Sequence, residues 1–296
     1  MNDEQEARAR WRQVRTLLET PILDEHKWSK VRSIHVEGVL ADMEDSVAPI
    51  RKEEARARVV DALSDSTGAE GRRLIPRCNS LDTPWGYEDV VVLARAGVRC
   101  LLYPKLRSIE ELLEVKRLLH ENGSDPELLV GIETAGGVVE LEAISKVDRV
   151  VALVFGPADL AVDVGSAIYV DGCIFDPAFS YARSKIALVG AASGLATFDI
   201  AFVTDLTDYE AVRRQVLTAK RLGFTGMSTF YPPHLAIIEE VFAPSEDELA
   251  HARWVVDQYE AALAQGNAAV KIGGRALVVQ DYKLAVASLK SGKDSG

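Results

Sequence analysis

The chain has 296 residues, 48% of them hydrophobic and 27% charged, with a formal net charge of −11. This composition is ample for a globular core, and its acid excess argues against nucleic acid or an anionic membrane as the main partner. No apolar run nears the roughly 20 residues of a membrane span, residues 1–12 are too polar for a signal peptide, and Cys78, Cys100 and Cys173 lack paired spacing, so a cytoplasmic protein with reduced thiols is expected.

Short apolar runs alternate along the chain with helix-like stretches. Strands are predicted near residues 16–18, 38–42, 73–77 and 100–104, then near 128–133, 150–155, 195–199 and 227–230. Between the fourth and fifth, Ser108-Ile109-Glu110-Glu111 has the Ser-x-x-Glu form of a capping box, and Leu112, Val115 and Leu119 share one helical face. This alternation predicts an α/β fold, a (β/α)8 TIM barrel over residues 1–240. An open doubly wound sheet is the alternative. The barrel is preferred because the candidate residues all sit at strand C-terminal ends, which a barrel gathers in one mouth.

Residues 241–296 are expected to form a C-terminal helical arm or lid within the same functional unit. Ser245-Glu246-Asp247-Glu248 is a second capping box, and Leu249, Ala252, Val256, Tyr259 and Leu263 make an apolar stripe. Gly266 suits that helix's end. A β-like run over 270–279 and a last helix near 282–289 complete the arm.

The chemistry concentrates on two runs, Leu129-Val130-Gly131-Ile132-Glu133-Thr134 and Leu153-Val154-Phe155-Gly156-Pro157-Ala158-Asp159-Leu160. Each is an apolar run followed by an acid, and the loop face is where an acid can work. Two such carboxylates suit Mg2+, which takes oxygen ligands and keeps water positions for a substrate. Glu133 and Asp159 are therefore the metal candidates, against the plainer possibility that Glu133 caps the next helix and Asp159 a turn. Pro157 and Ala158, in the turn before Asp159, are expected to line the substrate.

Arg77 ends the third strand, where a guanidinium can hold a carboxylate and stabilise a forming enolate. A structural ion pair with an acid such as Glu44 is the alternative. In Asp42-Met43-Glu44-Asp45, strand alternation would send Glu44 and Asp45 to opposite sides. Glu44 is assigned to metal-bound water or Arg77, and Asp45 to substrate or a turn. Lys105 is a further cation for substrate or for these acids. Asp199, inside an apolar strand, is expected to bond within the mouth.

These residues together resemble the citrate lyase β-subunit-like proteins of the HpcH/HpaI aldolase group, relatives of malyl-CoA and citramalyl-CoA lyases. The resemblance runs from about Arg15 to about Leu289. It is carried by Asp42-Met43-Glu44-Asp45-Ser46-Val47 with Lys52 and Ala55-Arg56, Arg77-Cys78-Asn79 with Asp82-Thr83-Pro84-Trp85-Gly86, Pro104-Lys105, Ile132-Glu133-Thr134 and Phe155-Gly156-Pro157-Ala158-Asp159-Leu160. It implies a (β/α)8 barrel, trimeric or hexameric, that uses Mg2+ to cleave or form a carbon–carbon bond in 3-hydroxy acyl thioesters, with a 2-oxo acid and an acyl-CoA as partners. Glu133 and Asp159 would hold the metal and Arg77 the substrate.

The chain departs from that pattern at Leu18-Glu19-Thr20-Pro21-Ile22-Leu23, which lacks a Gly, and at Phe230-Tyr231-Pro232 in place of Ile-His-Pro. Ala276-Leu277-Val278 lacks the arm acid, which leaves Asp281 as the candidate base from a neighbouring subunit. A 2-oxo-acid aldolase or hydrolase without CoA, and a non-catalytic oxo-acid-binding subunit, are the rival functions.

Overall fold

The computed structural model describes residues 3–31, 33–64, 73–170, 173–174, 179–267, 269–272 and 275–293. The chain forms two compact units, Met1–Ile238 and Glu239–Gly296. In the first, eight parallel strands close into a barrel: β1 (Thr16–Pro21), β2 (Gly38–Asp42), β3 (Arg73–Arg77), β4 (Cys100–Tyr103), β5 (Glu127–Ile132), β6 (Val150–Phe155), β7 (Ala196–Ile200) and β8 (Gly226–Thr229). Each pairs with its neighbours in chain order, and β8 returns to β1. This is the predicted TIM barrel, built on the eight predicted runs.

Inward-facing residues fall into layers contributed by alternate strands. Leu17, Ile75, Leu129 and Phe198 come from odd strands and Leu40, Leu102, Val154 and Ser228 from even ones; all are buried. Above them the top odd layer is Glu19, Arg77, Gly131 and Ile200, so two ionisable side chains enter the lumen at the C-terminal mouth. Below, Gly38 and Gly226 leave room for bulk above: an added Cβ would lie 2.5 Å from Leu17 and 2.8 Å from Phe198.

The helix Asp3–Trp11, unpredicted in so polar a segment, closes the barrel floor. Trp11 is fully buried, donates to Glu127 Oε2 at 2.6 Å, and meets Phe198 edge-on at 6.5 Å. Arg8 donates to the carbonyls of Ser193 (2.9 Å) and Val150 (3.2 Å). The Arg8 guanidinium thus serves the barrel's own backbone.

At the helix Ile109–Glu121 the expected capping box forms by half. Ser108 accepts from the Glu111 N–H, but the Glu111 carboxylate turns to the Arg107 N–H and the Tyr103 hydroxyl. A short antiparallel pair, Tyr169–Val170 with Cys173–Ile174, lies between β6 and β7 and was not predicted. Cys78 and Cys100 are free and buried, and burial raises both thiols' pKa, that of Cys100 to about 12. The Cys173 side chain lies outside the described residues.

The second unit contains the helix Glu246–Ala264, with the Ser245–Glu248 capping box complete. Gly266, at φ 80°, ends it. A hairpin, Val270–Ile272 with Arg275–Leu277, and the helix Val279–Lys293 follow. Ala252, Val255, Leu277 and Ala285 form this unit's own core. Among the described residues no helix is long and apolar enough to cross a membrane.

Candidate active site

Arg77 is the hub of the mouth. In register it faces Asp42 on β2 and Leu102 on β4. Its Nε donates to Asp42 Oδ1 at 2.8 Å, its Nη2 pairs with Glu19, and Glu44 Oε2 lies 3.4 Å away. Burial opposes the guanidinium's charge, but Glu19 and Asp42 outweigh it and hold its pKa above the usual value. Asp42 in turn accepts the N–H groups of Glu44 (2.9 Å) and Ser46 (3.1 Å). Despite burial, Arg77 and these donors hold its carboxyl at about 2. Arg77 thus has the structural partners of the plainer alternative while lining the cleft. Glu19 was missed as a site residue, though it ends its apolar run as Glu133 ends another.

Lys105 Nζ gathers three acids, with Glu44 at 2.8 Å, Asp45 at 2.9 Å and Asp159 at 3.2 Å. Glu44 and Asp45 therefore reach one ammonium instead of pointing apart. The reason is that β2 ends at Asp42, and the turn capped by its carboxylate breaks the alternation. Lys105 sits at φ 50°, a sparsely occupied conformation for a residue with a side chain. Burial, then the like charge of Asp45, pushes Glu44 up to about 7, against the pull of Arg77.

Glu133 follows β5 and is 4% exposed. It caps no helix: Thr134 does, accepting from the Gly137 N–H at 2.9 Å and donating to the Leu106 carbonyl at 2.6 Å. Glu133 Oε2 is buried without a hydrogen-bond partner, as is Glu44 Oε2. Burial and then the neighbouring Glu44 charge push Glu133 up to about 8. Two glycines make its berth. A Cβ at Gly131 would stand 2.5 Å from Glu133 Oε1, and one at Gly156 2.5 Å from Cγ. Asp159 lies in the first turn of the helix Pro157–Val164, where the helix dipole favours an anion.

Glu19, Asp45, Arg77, Glu133, Pro157, Ala158 and Asp159 all line one cleft of about 200 Å3. Its donor set fits Mg2+: carboxylate oxygens only, one of them buried and unpaired in a berth kept open by glycines. Among the described residues no three His, Cys, Asp or Glu side chains converge as a complete cage. Magnesium needs only one or two carboxylates, water and substrate filling the rest.

The turn carrying Glu44 is anchored from beneath. Lys52 Nζ donates to the carbonyls of Met43 (3.2 Å) and Glu44 (2.7 Å) and to Asn79 Oδ1 (2.6 Å). Asn79 and Arg56 both bond the fully buried Asp89. Those motif residues hold the mouth in shape without lining it.

Asp199 corrects an expectation. It faces outward on β7 and pairs with Arg183 of the helix Ser180–Ser193, because Phe198 takes the inward position. Asp281 lies in the first turn of the helix Val279–Lys293, where Oδ2 accepts the Val278 N–H at 2.9 Å.

A parallel barrel with its ionisable groups gathered at the C-terminal mouth is the architecture of a (β/α)8 enzyme. Residues 24–232 match the HpcH/HpaI aldolase/citrate lyase family, and the chain belongs to that family. It is 28% identical over 247 residues to the citrate lyase subunit beta of Leuconostoc mesenteroides subsp. cremoris, covering 81% of this chain and 80% of that protein. It is 28% identical over 277 residues to the mitochondrial citramalyl-CoA lyase of Homo sapiens, covering 88% and 80%. The same fold occurs in the CitE protein of Mycobacterium tuberculosis, solved in complex with magnesium, acetoacetate and coenzyme A. The TM-score is 0.81 at 22% identity, over 95% of this chain and 98% of that one.

Proposed function

We propose that this chain is a Mg2+-dependent carbon–carbon lyase of the aldol or Claisen type. It cleaves or forms a 3-hydroxy acyl thioester, with a 2-oxo acid such as pyruvate, glyoxylate or oxaloacetate as one partner and an acyl-CoA as the other. The observation that carries this is Glu133: a buried, unpaired carboxylate in a two-glycine berth, sharing a small cleft with Asp159 and Arg77. Membership of a family of lyases supports it.

Glu133 and Asp159 would hold the metal, which supplies Lewis-acid polarisation of the oxygen beside the substrate carboxylate. Arg77, locked by Glu19 and Asp42, meets negative charge without reorganising, and such preorganisation is a large contribution to catalysis. In cleavage, the hydroxyl proton leaves to a base and its O–H electron pair becomes the new carbonyl. The C–C pair passes to the thioester fragment as an enolate, which a proton then quenches. Glu44 and Lys105 keep Arg77 and Asp159 in register, and Asp45 borders the substrate. Asp281 is the proposed base, acting from a neighbouring copy of the chain. A cytoplasmic homo-oligomer, a trimer or hexamer, accords with the free, buried Cys78 and Cys100 and with that donated acid.

The test is titration of the three oxo acids with and without Mg2+, on wild type and Glu133→Ala, followed by acyl-CoA turnover. Binding that needs both metal and Glu133, with thioester cleavage, is expected. Binding indifferent to metal overturns the assignment.

A further inference from the structure

The cleft has a second face that this chemistry does not use. Across the barrel from Arg77 on β3 stands Ile200 at the end of β7, and the cleft is also lined by Phe202 in the next loop and Phe230 just after β8. The two rings meet edge to face with centroids 6.0 Å apart. This wall is built rather than incidental. Gln215 clamps the Phe202 backbone, accepting its N–H at 3.0 Å and donating to its carbonyl at 2.7 Å. The Ala201 N–H donates to the Ser228 carbonyl at 3.0 Å, tying the loop to β8.

Charge and size decide what such a wall faces. Among the described residues, Arg77 already meets Glu19, Asp42 and Glu44, and Lys105 meets Glu44, Asp45 and Asp159. A second carboxylate on the ligand would lie against aromatic carbon with no cation assigned to it, desolvated and unpaired. An alkyl group there buries apolar surface instead. The cleft, about 200 Å3, falls below the roughly 300–1,000 Å3 of drug-sized sites. One small acid therefore spans both faces.

We infer that Ile200, Phe202 and Phe230 determine specificity, selecting 2-oxo acids with an alkyl side chain over those bearing a second carboxylate. This rests on the proposed lyase reading and names the substrate class within it.

The experiment is calorimetric titration, at saturating Mg2+, with 2-oxobutyrate and freshly dissolved oxaloacetate, which share a four-carbon chain and differ as methyl against carboxylate. Wild type, Phe230→Arg and Phe230→Leu are compared, with thermal melts alongside. Phe230 is 39% exposed, so its replacement spares the core. Wild type is expected to favour 2-oxobutyrate by about tenfold or more. Phe230→Arg should narrow or reverse that preference, and Phe230→Leu should keep it. Equal binding, or an oxaloacetate preference in wild type, overturns the inference and leaves the lyase assignment standing. A preference unmoved in folded Phe230→Arg also overturns it. If neither acid binds, both fall.

Discussion

Substituting Gly131 by alanine tests the proposed metal berth most directly. The φ of Gly131 is one that any residue adopts, so glycine serves there only as space. The added Cβ would stand 2.5 Å from Glu133 Oε1 and 3.1 Å from the Pro104 Cα. Ordinary contact begins at 3.4 Å, so the carboxylate must retreat by about 0.9 Å. A misplacement of that order at a reacting centre costs roughly 100-fold, or about 2.7 kcal/mol. The fold suffers less: overpacking costs about 1–3 kcal/mol, offset by about 0.4–1 kcal/mol from the stiffer unfolded chain. Gly131→Ala should therefore stay folded while losing about two decades of Mg2+ affinity and of kcat/KM. Calorimetry with Mg2+, steady-state turnover and a thermal melt read all three. Wild-type magnesium affinity in a variant with a native melt would refute the berth.

Three further predictions concern pH and the barrel floor. Asp42, held at about 2 against an ordinary 3.8, contributes stability that is present above 3.8 and lost as pH falls toward 2, about 2 kcal/mol. Urea melts should therefore show Asp42→Asn weaker than wild type at neutral pH and nearly equal to it near about pH 2; a gap unchanged by acid contradicts this. Glu133, raised from 4.5 to about 8, and Glu44, to about 7, act with the opposite sign. The folded state keeps protons that the unfolded chain has lost, so metal-free stability should fall as pH rises through that window. Mg2+ affinity should rise over the same range, since a ligating carboxylate must be ionised; a flat titration between pH 6 and 8.5, roughly the span of those pKa values, argues against Glu133 as ligand. Trp11→Ala should cost about 3–5 kcal/mol in a denaturant melt yet leave kcat intact below the transition, because the floor lies at the opposite end of the barrel from the site. A loss under about 1 kcal/mol would mean the helix Asp3–Trp11 is not the plug described.

Much of the candidate site, as a set of residues that share one cleft, was legible because strand ends announce themselves. An acid closing an apolar run has no use inside a core, and this singled out Glu133 beside Asp159. Glu19 carried the same signal on a run read for its missing glycine instead. Asp199 misled because alternation needs a phase: with Phe198 inward, the acid lies under Arg183. The pairing of Glu44 with Asp45 on Lys105 depended on β2 ending at Asp42, which no period-two pattern reveals.

The pattern of apolar runs by itself determined the eight strands, the barrel and the end of it where chemistry resides, since burial on both faces and the βα repeat are local properties of the chain. What each charge does was settled only by the tertiary structure. Arg77 became a caged cation, Lys52 and Arg56 became struts, and Glu133 became an unpaired acid. The physical reason is that a carboxylate's state depends on its neighbours across strands and on the space left for it, here by Gly131 and Gly156, and those neighbours are far apart in sequence.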